Sequence, residues 1–177
     1  DAVAPDPGAG AAEASMRARA GFVAVRDEVG KVTGYRDLDR IGQTLTYGTA
    51  AGQFDILCFQ TRTINATSSL TLDLYTGTDL KDVFNATAAL RKVKSLCVWV
   101  DSGGDTAGVR VGGAGSNPWV AFFAHTSDKH LIFPSGPAYL GGSPAGVAVG
   151  AATCNLLIEN LGAVSVVVGV AVAGTSV

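Results

Sequence analysis

Two histidines, a serine and an acid stand together in His125-Thr126-Ser127-Asp128-Lys129-His130. Ser127, Asp128 and His130 are the residue types of a hydrolase triad, and His125, Asp128 and His130 those of a metal site. A triad, however, draws its members from distant segments, and this stretch has no nucleophile-elbow motif. As metal ligands, the three would come from a single hydrophilic turn, where such side chains are usually solvated. Gly103-Gly104 and Gly112-Gly113-Ala114-Gly115-Ser116-Asn117 match phosphate loops in glycine content alone. No Lys-Ser/Thr pair follows them and no helix is predicted to open there, so turns between strands explain them better. Asp101, Asp105 and Asp128 would bind calcium only if separate loops converged, because none sits in an Asp-x-Asp-x-Asp-Gly array. With two His in the chain and few acids beyond its first 40 residues, the expectation is a protein that is not an enzyme. No catalytic, cofactor-binding or metal-ligating residue is assigned, and no cofactor.

Cys58, Cys97 and Cys154 are odd in number and far apart. They cannot complete a disulfide framework, none stands in a Cys-x-x-Cys arrangement, and synthesis in a reducing compartment is the simpler reading. The opening residues lack the positive and apolar regions of a secretory signal; a mature exported protein would lack them too, so export stays open. Asn65-Ala-Thr67 and Asn85-Ala-Thr87 match the glycosylation sequon, which arises often by chance and matters only in a eukaryotic secretory path.

The 177 residues suit one domain with a real core, or a domain plus an arm. Thirteen basic and fifteen acidic side chains give a net charge of −2, too little positive charge for a strongly basic face, so no nucleic-acid partner is expected. Charged residues are 16% of the chain against roughly 25% in average proteins, and Gly is enriched at 23 residues, as in a turn-rich β protein. The charge is uneven. Residues 1–40 hold seven acids and six bases, whereas 131–177 hold Glu159 alone.

Residues 1–20, rich in Ala, Gly and Pro, cannot bury enough surface to offset their ordering entropy and are predicted to be flexible. Residues 21–40 carry Phe22, Val23 and Val25, then Gly30 and Gly34, then a solvated charge run at 36–40. The stretch 1–45 therefore reads as an N-terminal arm or edge hairpin, and 46–177 as the folded domain. Within that domain the apolar period is two, shown best by Leu70-Thr71-Leu72-Asp73-Leu74. Further strands are predicted over 56–63, 93–100, 109–111, 119–124, 131–133, 146–149, 156–159 and 164–173, separated by Gly, Pro, Asn and Asp turns. One interruption is helical in character: Leu80, Val83 and Phe84 fall at i, i+3, i+4 behind Thr78 as N-cap, which predicts a short helix over 79–84. The fold class is all-β, a jelly-roll-like β-sandwich of about eight strands with one short helix and an extended N-terminal arm; an immunoglobulin-like sandwich is the alternative.

In the last predicted strand Val164, Val166, Val168, Val170 and Val172 share one face and neither face is strongly polar. It is either a central strand covered on both sides within its own fold or a strand buried against another subunit. Its short apolar run and strand-like alternation argue against a membrane span. Trp99, Trp119, Phe122, Phe123 and Tyr139 could form an aromatic platform for a sugar, could fill the core, or could make a subunit contact. The candidate subunit or capsid interface is Trp119, Phe122, Phe123, Val164, Val166 and Val168.

From about residue 46 onward the chain also resembles a loosely defined group of tailed-bacteriophage virion proteins, the capsid decoration or cementing proteins. The resemblance is carried by Tyr47-Gly48-Thr49-Ala50-Ala51-Gly52-Gln53, by 70–74 leading into 79–84, and by Val109-Arg110-Val111 with the glycine run to Asn117. It continues through Phe133-Pro134-Ser135-Gly136-Pro137, Ser143-Pro144, Leu156-Leu157-Ile158-Glu159-Asn160, the valine strand and Ala173-Gly174-Thr175. It implies a β-sandwich that forms a homo-oligomer, a dimer or trimer, on the capsid exterior. That protein would be made in the bacterial host cytoplasm and would bridge major capsid protein subunits without catalysis, cofactor, nucleic acid or membrane. On this reading the arm orders across an adjacent capsomer and the shell gains resistance to internal pressure. Two alternatives remain: a head-fibre or tail-tip component binding a host surface, and a carbohydrate-binding β-sandwich module, marked by exposed Trp119 or Tyr139 beside polar loops.

Overall fold

The computed structural model describes residues 25–26, 32–33, 45–82, 85–120, 122–123, 125, 127–134 and 139–177. Among the described residues twelve strands follow one another: β1 (Val25–Arg26), β2 (Val32–Thr33), β3 (Thr46–Tyr47), β4 (Gln53–Phe54), β5 (Ile56–Ile64) and β6 (Ser69–Asp73). Then come β7 (Lys92–Gly103), β8 (Val109–Gly113), β9 (Lys129–Ile132), β10 (Tyr139–Ala148), β11 (Asn155–Asn160) and β12 (Val166–Thr175). β1 and β2 pair antiparallel as a sheet of their own, within the stretch predicted as arm or hairpin. Residues 1–20, predicted to be flexible, lie outside the described residues.

The eight strands β5 to β12 build two four-stranded sheets, in the orders β10-β7-β12-β5 and β6-β11-β8-β9. The first of the eight pairs antiparallel with the last, the second with the seventh, the third with the sixth and the fourth with the fifth. That nesting is a long antiparallel hairpin rolled into two sheets, the jelly roll. The alternation of the sequence explains the packing. On β12, Val166, Val168, Val170 and Val172 are fully buried beside Leu96 and Val98 of β7, and Leu72, Val111, Leu156 and Ile158 of the other sheet join them in one core. The other face of β12 carries only small residues, and it too is covered. The Trp99 ring lies on Gly169, and Leu45 and Phe54 pack on Ala173. β12 is thus a central strand covered on both sides by its own chain.

Two predicted elements are corrected. There is no helix over residues 79–82, and Val83 and Phe84 lie outside the described residues. Instead this segment runs along β5: Cys58 and Asp82 form an antiparallel bridge, and the Asp79 carbonyl accepts from Gln60 Nε2 at 3.2 Å and Arg62 Nη2 at 3.0 Å. A six-residue pattern is too short to nucleate a helix against the alternative of covering an open strand edge. Nor do Trp119, Val120, Phe122 and Phe123 belong to a strand. Trp119 N donates to Asn155 O of β11 at 2.9 Å and Phe123 N to Val120 O at 2.8 Å, a turn; Ala121 and Ala124 lie outside the described residues. In the other direction, β10 is longer than predicted because Gly141, Gly142 and Pro144 lie inside it. It is an edge strand, which tolerates proline, and its register with β7 shifts between Gly142 and Val147.

That irregularity frees carbonyls for an unusual partner. Lys94 of β7 is buried, and its Nζ donates to Ala145 O at 2.8 Å, Pro144 O at 3.1 Å and Ala50 O at 3.3 Å. At the opposite end, buried Asn160 donates from Nδ2 to the carbonyls of Ile64, Asn65 and Val164, while its Oδ1 accepts from Gly162 N. Each polar group ties a loop to a strand of the sandwich and leaves few hydrogen-bonding atoms unmatched in the interior.

Candidate functional site

The residue cluster with the most chemistry in the sequence forms a surface turn. His125 Nδ1 and Ser127 Oγ are 2.9 Å apart, and Asp128 N donates to His125 O at 3.0 Å. His130 leaves the cluster because β9 carries its ring to within 5.6 Å of the Phe123 ring. Among the described residues no group of three or more His, Cys, Asp or Glu side chains could hold a metal ion. Of the other acids, Asp105 accepts from Ala107 N and Ala163 N and so joins two turns, and Asp101 is exposed on β7. The three cysteines are free and buried. Burial, with the Asp82 charge, pushes the Cys58 thiol up to about 12; burial alone lifts Cys97 to about 11. Cys154 is raised as well, by burial and then by Asp73.

The six residues proposed as contacts separate. Trp119, Phe123, Val166 and Val168 lie in the sandwich's own core and offer no surface to a partner. Trp119 plugs one end of the sandwich: its backbone holds β11, and its indole Nε1 donates to Ala148 O of β10 at 3.1 Å. Phe122 is half-buried, edge-on to Trp119 at 5.1 Å. Only Val164 is exposed, in the turn before β12. Of the predicted aromatic platform, Trp119 and Phe123 are inside, Tyr139 opens β10 opposite Val98, and Trp99 is partly exposed.

Two surfaces remain as candidates, one on each sheet. On the outside of the β10-β7-β12-β5 sheet, Phe59 is 63% exposed and packs against Trp99 with ring centroids 5.4 Å apart. Gly169 is the reason the pair forms there, because any side chain at that position would occupy the space of the indole. Sequence reasoning missed Phe59. The signal was available in β5, where Leu57, Phe59, Thr61 and Thr63 share the face opposite buried Cys58 and Ile64.

On the outside of the other sheet the register aligns Ser69 of β6, Glu159 of β11, Arg110 of β8 and Leu131 of β9 in one row across four strands. Lys129 of β9 reaches Glu159 Oε2 at 2.6 Å, and Arg110 Nη2 lies 3.3 Å from the same oxygen. The Lys129 stem crosses above Gly112, where a β-carbon would collide with it. One carboxylate shared by two cations leaves these three side chains with a formal charge of +1, and Asp73 stands on the same face further along β6. Sequence reasoning missed this cluster, because its members stand on different strands and share no spacing.

No family model matches the chain, and no curated protein is similar to it in sequence. The surfaces themselves must therefore carry the functional reading.

Proposed function

We propose that this chain is a structural virion protein of the capsid decoration or cementing type. Its jelly roll would dock on major capsid protein subunits through the outer face of the β10-β7-β12-β5 sheet. The observation that carries the reading is Phe59, the most exposed aromatic side chain among the described residues, ahead of Phe133. An exposed aromatic backed by a second ring has the form of an interface anchor. The fold supports it by analogy only, since jelly rolls recur in viral capsid and lectin domains. No step of this function calls on bond-making chemistry, and the position would be the capsid exterior, as a dimer or trimer.

Burying Phe59 against a partner contributes about 2 kcal/mol per copy at the usual apolar coefficient, roughly thirtyfold in affinity, and many copies on one shell multiply it by avidity. The test is co-sedimentation with capsids that lack this chain, followed by heat and osmotic challenge. Wild-type protein should bind and raise the tolerance of the shells, and Phe59→Asp should do neither while remaining folded. Equal tolerance with and without the protein overturns the cementing role.

A further inference from the structure

We propose that the trough centred on Arg110, on the outer face of the β6-β11-β8-β9 sheet, is a binding site for an acidic sugar, a polyhydroxylated ring bearing one anionic group. The inference is independent of whether the other sheet docks on a shell. The trough has two arms that share Arg110. One, of about 610 Å³, is lined by Thr67, Ser68, Ser69, Glu159, Asn160 and Leu161. The other, of about 450 Å³, runs past Gly113, Gly115, Pro118, Ser127 and Lys129.

Four observations set the ligand chemistry. First, the Arg110, Lys129 and Glu159 side chains sum to one positive charge, held on three adjacent strands and so fixed in place. Second, the Arg110 side chain is 43% exposed while its Nη2 leans on Glu159, and a guanidinium donates in a fixed fork that fits a planar carboxylate. Third, Thr67, Ser68 and Ser69 present exposed hydroxyl-bearing side chains along one arm. The Glu159 carboxylate beside them can accept from ligand hydroxyls. Fourth, Leu131, 47% exposed, continues the row past Arg110 and offers an apolar contact for the C–H face of a ring. A simple anion would use the cation and leave the hydroxyl arm and Leu131 unused; a neutral sugar would leave the net charge unanswered. An acidic sugar uses all four features.

The experiment is a titration of the full, isotope-labelled chain with sialic acid and with glucuronic acid at millimolar concentrations, followed by amide NMR shifts. Glucose and acetate serve as the neutral and the plain-anion controls. The expected result is saturable shifts at Ser68, Ser69, Arg110, Leu131 and Glu159 with at least one acidic sugar, and at least tenfold weaker effects with both controls. Arg110→Gln should weaken binding about tenfold, the scale of a lost charge-assisted hydrogen bond. Glu159 keeps Lys129 in that variant, so the sheet remains paired. Ser69→Ala, on an exposed position, should weaken binding a few-fold and serves as the second variant if Arg110→Gln is misfolded. Absence of shifts with both acidic sugars overturns the proposal. Acetate shifts of equal size reduce the site to a plain anion contact, and glucose shifts of equal size remove the role of the charge; either outcome also overturns it.

Discussion

Lys94 holds its ammonium out of water and spends all its donors on backbone carbonyls from two segments, residue 50 and residues 144–145. Lys94→Met keeps the stem's length and leaves Ala145 O without its donor, while Pro144 O keeps Gly52 N and Ala50 O keeps Gln53 N, so it should destabilise the fold by about 1 to 3 kcal/mol. Urea unfolding measures this, and a loss within about 0.5 kcal/mol would mean that desolvation cancels the bonds. The cysteines give a second prediction at this scale. Folded Cys58 and Cys97 titrate near 12 and 11, above the ordinary thiol value of 9.0. The unfolded chain therefore releases its thiol protons first as pH rises, and stability falls with pH across that interval. Their contribution is intact below pH 9 and is lost progressively up to about 12. Denaturant midpoints measured across that range should drop, and Cys97→Ala should flatten part of the slope. Slow native-state alkylation of all three thiols would accompany this, since the thiolate is the reactive form.

Between neighbouring elements the contact of Trp99 with Gly169 decides how β7 and β12 sit together on their outer face. Gly169→Ala would place a methyl inside the indole's space and should cost about 1 to 3 kcal/mol, with a shift in tryptophan emission as the ring is displaced toward solvent. An unchanged melting temperature would show that the ring moves freely. Glycine on a strand interior is hard to read from sequence, because the residue that justifies it, Trp99, is 70 positions away in the chain and arrives only through pairing. The same limit explains which elements were legible. Leu70 to Asp73 and Val166 to Val172 carry their own alternation and are strands in the structure. β10 contains Gly141, Gly142 and Pro144 and shows no local pattern; it is a strand because β7 supplies a partner. The short helical period read over 79–84 gave way, over the described residues 79–82, to edge coverage of β5. The Arg110 trough was not legible at all, since Ser69, Arg110, Lys129 and Glu159 come from four strands and share no spacing.

Across the whole molecule almost every strand partner is distant in sequence, β5 with β12 being the extreme case. Folding should therefore be slow for the size of the domain, on the order of milliseconds to seconds or longer, because loop closure precedes the contacts that reward it. Stopped-flow fluorescence can follow it at two places, since Trp119 reports the core end and Trp99 the outer face of one sheet. Single-exponential refolding within about a hundred microseconds would contradict this picture. The nested pairing also fixes an order of events during synthesis. β12 lies between β5 and β7, yet it leaves the ribosome after both. Until residue 175 has emerged, two long strands wait with their facing edges unpaired and their valine neighbours absent. A nascent chain of this protein is thus a template for any other extended segment nearby, and its dependence on chaperones should end abruptly when the last strand slots into the middle of the sheet.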